Sequence, residues 1–236
     1  MKNIFAIVQR EVKSYFSSPI AYVLIAAFLL VTGFLYVLIL NVTKEAEMER
    51  LFHNMAVTLL LLSPVITMRL FAEERRTGTI ELLLTAPITD LEAVVGKYFS
   101  AVFVYFIMLI LTLHFPLFLF AFGNPDKGPL ISGYLGLFLM GSCFLAVGVF
   151  TSSFARNQIV AAVFGFGILL LLSLFSASAQ IFSGPIGSVI QYISIYEHFN
   201  NFTRGIIDTE DIIFYLTFII IALFLAVRVI QNKKWK

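Results

Sequence analysis

Hydrophobic positions fall in long unbroken runs separated by short polar stretches. Six runs are long enough to cross a bilayer as helices, a length of about 17–25 residues: Ile20–Leu40, Met55–Leu70, Tyr98–Phe122, Leu130–Phe154, Ile159–Phe182 and Ile212–Ile230. The second is the shortest and carries Pro64 and Arg69. It holds as a span if Pro64 only kinks it and Arg69 snorkels to the interface. Alternating polarity, the mark of a membrane barrel strand, is missing. The pattern predicts an all-α polytopic membrane protein with one transmembrane domain over residues 1–236.

Ahead of the first span, Phe5, Val8, Val12, Tyr15 and Phe16 recur at helical spacing, with Gln9, Arg10, Lys13 and Ser17 opposite. Residues 1–19 therefore predict an amphipathic helix lying on the inner leaflet, turned into the bilayer at Ser18-Pro19. A plain extension of the first span is the other reading. The first span is too long for a typical signal-peptide core and predicts a retained signal anchor.

Composition agrees with membrane burial: 60% of residues are hydrophobic and 13% charged, too few for a solvated surface. The charges also orient the chain. With the N-terminus inside, twelve of the 16 basic residues fall on the cytoplasmic side, leaving Lys44, Arg50, Lys127 and Arg204 outside. The expected location is a bacterial or archaeal cytoplasmic membrane, with both ends in the cytoplasm. The net charge of +2 follows from this topology, and no clustered basic face points to nucleic acid.

The cytoplasmic segment 71–97 is the most distinctive polar stretch. It contains Glu73, Glu74, Arg75, Arg76, Gly78 and Thr79, followed by Ile80, Glu81, Leu83, Leu84 and Pro87. Gly78 permits a tight turn, and Thr79 can cap a short helix with Glu81 near its positive end. Pro87 ends that helix, and Thr89-Asp-Leu-Glu92 has the spacing of a capping box for the next one. Ile80, Leu83 and Leu84 make an apolar patch bordered by charges of both signs. This suits docking to a cytoplasmic protein better than lying on lipid.

On the other side, residues 183–211 mix apolar and polar positions. Tyr192, Tyr196 and Phe199 are candidate members of an outer gate if the segment dips back into the membrane, and an interfacial aromatic belt is the equal alternative. Catalysis finds no support. His53, His114 and His198 are scattered, with His114 expected to pack against a neighbouring helix, and neither a nucleophile elbow nor a phosphate-binding loop occurs. The lone cysteine, Cys143, lies in the fourth span and forms no internal disulfide. Acidic residues lie in loops or at span ends, which disfavours an ion-driven pump. The chain itself is expected to be no enzyme and to bind no cofactor.

The run Glu73 to Pro87, followed by Gly96-Lys97, resembles the permease subunits of ABC-2-type transporters, the exporter-like class of ATP-binding-cassette systems. The likeness extends to the amphipathic start with Pro19, the six spans, and Tyr196-Glu197-His198-Phe199 leading to Gly205-Ile206-Ile207-Asp208. It is similar in particular to the subgroup with gliding-motility and nitrous-oxide-reductase maturation permeases. The resemblance implies a separate ABC ATPase that holds ATP and Mg, and a second permease chain, identical or paralogous. It makes Glu73 to Pro87 the coupling helix seated in a groove of the ATPase, and residues 1–19 a connecting helix. A membrane anchor or mechanical subunit driven by the same ATPase is the alternative to export of a substrate that the sequence does not identify.

Overall fold

Main-chain N–H and C=O groups find no partner in hydrocarbon, so long apolar runs fold as helices that satisfy themselves. The computed structural model describes residues 2–43, 48–79, 88–123, 125–178 and 190–234, and among them forms helices without strands. In chain order these are α1 (Lys2–Ser17), α2 (Pro19–Thr43), α3 (Glu49–Thr67), α4 (Arg69–Arg76), α5 (Asp90–Thr112), α6 (His114–Phe122), α7 (Lys127–Phe154), α8 (Gln158–Ser178), α9 (Ile195–Thr203) and α10 (Thr209–Lys234). Six segments are long and apolar enough to span a membrane: Pro19–Val42, Glu49–Arg76, Asp90–Phe122, Lys127–Phe154, Gln158–Ser176 and Thr209–Asn232. The protein is an all-α polytopic membrane protein. Its second span runs well past the apolar run Met55–Leu70 at both ends.

Successive spans alternate in direction. One end of the bundle collects α1, α4, the start of α5 and the end of α10, so the first and last described residues, 2 and 234, belong to helices gathered there. We call it the termini end. The distal end collects the starts of α3, α7 and α10, with α9 packed among them.

The fourth span, α7, is the hub. Of its most apolar stretch 78% is buried, against 22% for the fifth and sixth spans, which face outward. Small residues make this possible, because glycines let neighbours pack on the helix backbone. Phe52, Phe202, Tyr105 and Thr67 sit where side chains at Gly133, Gly136, Gly141 and Gly148 would otherwise be.

Breaks in two spans have identifiable causes. Pro116 has no N–H for the Thr112 carbonyl four residues earlier, and α5 gives way to α6 there. The freed carbonyl accepts a hydrogen bond from the Tyr134 hydroxyl of α7 at 3.0 Å. Between α3 and α4 the Ser152 hydroxyl enters the ladder. It accepts from the Phe71 and Ala72 amides at 3.0 and 3.2 Å and donates to the Met68 carbonyl at 3.1 Å.

The N-terminal helix differs in detail from its sequence reading. Ile7 and Tyr15 are its buried apolar positions, whereas Phe5 is exposed. The apolar surface it covers is α5, where Ile7 lies so close to Gly96 that an added Cβ would meet its Cγ2 at 2.8 Å. The face of α1 that meets protein is thus the one with Ile7 and Tyr15, and Phe5 is not part of it.

Candidate functional site

At the termini end, four charged side chains from three helices converge. Residues Thr89 and Glu92 form the capping box that starts α5: the Glu92 amide donates to the Thr89 hydroxyl, and Glu92 Oε2 accepts from the Thr89 amide at 2.9 Å. Two turns on, Lys97 is 1% exposed. Its ammonium donates to Glu74 Oε1 at 2.8 Å, to Glu11 Oε1 at 3.1 Å and to the Leu70 carbonyl at 2.5 Å. Arg10 closes the cluster from outside, reaching Glu11 at 2.8 Å and Glu74 at 3.1 Å. Two cations and two carboxylates leave no net charge.

Electrostatics follow from this geometry. Burial pushes the Glu11 carboxyl up, but the Lys97 ammonium and the Arg10 guanidinium outweigh it and hold it below the usual carboxylate range. A buried cation tolerates such a site only if it is paired and fully hydrogen-bonded, and Lys97 uses its three donors on three acceptors. The Lys97 stem also runs beside Phe71, with Nζ 5.0 Å from the ring centroid.

Further contacts fasten α1 to the same helices. The Tyr15 hydroxyl donates to the Ile66 carbonyl at 2.6 Å, and burial pushes its pKa well above the ordinary phenol range. Arg69 donates to Ser14 Oγ at 2.9 Å and lies over the Tyr15 ring, 4.9 Å from its centroid. Arg69 is thus seated against α1. Asn3 donates to Glu92 Oε1 at 3.2 Å.

The residues expected to dock a partner are divided by the structure. Glu74 and Arg75 are engaged inside the chain, Arg75 donating to the Ser153 and Ala155 carbonyls at 2.6 and 2.9 Å. These are unpaired carbonyls at the end of α7, a natural seat for a cation. Glu73 lies 3.9 Å from Arg69, and Arg76 is exposed. Gly78 adopts φ +73, the left-handed region open to glycine, and turns the chain after α4. The Thr79 hydroxyl pairs with that of Thr77 at 2.9 Å. Ile80, Glu81, Leu83, Leu84 and Pro87 lie outside the described residues.

At the distal end, α9 lies against α7, α8 and α10. The Ser132 hydroxyl donates to the Phe202 carbonyl at 2.7 Å, and the Tyr215 hydroxyl donates to the Ile195 carbonyl at 2.8 Å. Phe199 is fully buried, Tyr196 half-buried and Tyr192 exposed, so the three candidate gate residues point to different environments. The burial of Phe199 and Phe202 seats that face of α9 against protein. His198 pairs with Asp211 here, and His53 lies 2.8 Å from Asn200 Oδ1. His114, expected to pack against a neighbouring helix, is exposed, and its ring lies tilted against that of Phe115 in its own helix, with centroids 4.0 Å apart. Among the described residues no group of three His, Cys, Asp or Glu is placed to hold a metal.

The sequence over residues 2–207 matches the family described as ABC-2 type transporter. The chain belongs to the ABC-2 type transporter family. A comparison with curated proteins gave no match. The matched stretch covers α1 through α9, and so includes Lys97 with its partners as well as His198. As an ABC-2 membrane domain the chain is a transporter permease subunit, a transport component in a multi-pass membrane protein. Lys97, Glu11 and Arg10 were not among the docking residues read from the ABC-2 sequence. The available signal was a Glu within the Ile7-to-Tyr15 stripe of α1 and a Lys inside an apolar stretch, each needing an opposite charge from elsewhere.

Proposed function

We propose that this permease exports its substrate by borrowing the ATP cycle of a separate ABC ATPase, which docks on the termini end through residues 73–87. ATP and Mg belong to that ATPase, and this chain contributes mechanical linkage. A second permease chain, identical or paralogous, pairs with it across the translocation path. The excess of Lys and Arg near the termini end supports a cytoplasmic position for both termini and a place in the bacterial or archaeal cytoplasmic membrane.

The observation that carries this reading is the contact of Lys97 with Glu74 and Glu11, which joins α4, α5 and α1 at one point. The proposed docking segment continues directly from α4 through Gly78 and returns at Thr89 into α5. Displacement of the segment therefore acts on both flanking spans, and the ion cluster makes α1 move with them. Rigid elements with discrete arrangements transmit such movement better than a flexible loop. Differential affinity of the ATPase for two arrangements of this lever supplies the driving free energy.

Reconstitution of the permease with its cognate ATPase in liposomes tests the reading. A transported substrate raises ATP turnover and accumulates on one side of the membrane. Turnover indifferent to every candidate cargo, with no accumulation, opposes export.

A further inference from the structure

The last span, α10, leaves an apolar groove against the start of α5 at the termini end. Val227 is buried at its floor, and Leu91, Ile220 and Phe224 wall it with side chains more than half exposed. Its volume is about 430 Å³, within the size range of sites that hold small molecules. Among the described residues no carboxylate lines it.

The groove has a definite depth in the membrane. The sixth span covers Thr209–Asn232, so Ile220 stands near its middle and Gln231 beside its end. The helical rise from Ile220 to Gln231 is about 16 Å, close to half of a hydrocarbon layer roughly 30 Å thick. The groove therefore runs from the termini-side surface to the midplane, the depth of one leaflet.

A cation stands at its surface end. Arg228 is exposed, with its guanidinium carbon 4.9 Å from the centroid of the Phe224 ring and Nη1 donating to Gln231 Oε1 at 3.4 Å. Stacking on Phe224 holds the charge over the groove, where a free stem would carry it out into water. Among the described residues Arg228 enters no ion pair. On α5, Glu92 is held by Thr89 and Asn3, and Asp90 has a partner of its own. The sequence adds Lys233 and Lys234 after Arg228 and no acid.

An apolar body one leaflet long with an anion at its surface end is the outline of a phospholipid. A guanidinium fork suits its phosphate, which it can bind through two N–H groups at once. A small soluble anion would leave the apolar walls bare. The α10 of a second copy would bring no carboxylate to that depth, because its acids, Glu210 and Asp211, lie at the opposite end.

We propose that the groove between α5 and α10 binds an anionic phospholipid of the termini-side leaflet, with one acyl chain along Ile220, Phe224 and Val227 and the phosphate on Arg228. A zwitterionic headgroup brings its own cation to the phosphate, whereas an anionic one leaves the full charge to Arg228. One basic residue at a membrane surface is worth about fivefold in affinity for anionic lipid. The bound lipid bridges α5 to α10, two spans that are far apart in the chain.

The test places a single fluorophore on the groove wall of the full chain, by replacing its one tryptophan, Trp235→Phe, and introducing Ile220→Trp. Vesicles of phosphatidylcholine carry a minor fraction of lipid brominated on its acyl chains, either phosphatidylglycerol or phosphatidylcholine. Bromine quenches the indole on contact, so the ratio of the two quenching strengths reads lipid preference at the groove. Brominated phosphatidylglycerol is expected to be preferred about fivefold, with the preference lost in Arg228→Gln and kept in Arg228→Lys. A probe at Leu171→Trp, exposed on α8, is expected to show no preference. Equal quenching by the two lipids at Ile220→Trp overturns the site, as does a preference that survives Arg228→Gln or is as large at Leu171→Trp. Quenching by neither lipid means that protein covers the groove, and overturns it too.

Discussion

Lys97 and Glu11, 86 positions apart in the chain, meet at 3.1 Å, and the same ammonium holds Glu74 at 2.8 Å. Removing one member of such a buried network costs more than removing the whole. Lys97→Met leaves two carboxylates facing Arg10 alone and is expected to destabilise by about 3–5 kcal/mol. The triple variant Lys97→Met, Glu11→Gln, Glu74→Gln should be markedly more stable than Lys97→Met. Thermal unfolding in detergent measures both, and a triple variant no better than the single one refutes the network.

Glu11 also gives a pH dependence with a definite sign. Its carboxyl is held below the ordinary range in the folded chain, so its contribution is complete above the ordinary carboxylate value and is lost as pH falls through the folded value. The window lies below about pH 4.3. Wild-type stability should therefore fall more steeply on acidification in that window than stability of Glu11→Gln, and parallel curves would remove Glu11 from the cluster.

Ser152 holds the break between α3 and α4 through three hydrogen bonds to main-chain groups. Ser152→Ala strands the Phe71 and Ala72 amides beside a methyl group and is expected to cost about 1–3 kcal/mol. Calorimetric unfolding reads the loss directly. A variant as stable as wild type would mean the amides find other partners.

Glycines on α7 and α8 should respond oppositely to the same change. A methyl at Gly148 collides with Thr67, whereas one at Gly167 meets nothing within 4 Å. Gly148→Ala is expected to destabilise by about 1–3 kcal/mol, and Gly167→Ala to be neutral or stabilising by up to about 1 kcal/mol. Paired unfolding curves test the hub role of α7, and equal effects would contradict it.

Six spans and the Thr89-to-Glu92 capping box were legible in the sequence because both are written in local patterns: run length for one, a three-residue spacing for the other. Gly78 was legible for the same reason, as a turn after a charge run. The Lys97 cluster was not, because its acids come from α1 and α4 and local spacing cannot bring Glu11 to Lys97. That Ile7 is the residue of α1 that meets Gly96 was not legible either, because an amphipathic pattern fixes a broad stripe and the shape of α5 selects which edge of it meets protein. His198 and Asp211 read as polar residues of an outer loop, and their pairing required the packing of α9 between α7 and α10.

The central claim is that another subunit's ATP cycle enters this permease through residues 73–87, and co-purification with the cognate ATPase tests it most directly. Leu83→Asp combined with Glu81→Lys places charge in the proposed apolar patch and reverses its neighbour. The double variant should insert into membranes as well as wild type and lose the ATPase on affinity purification. Recovery of the ATPase in wild-type amount would contradict the account.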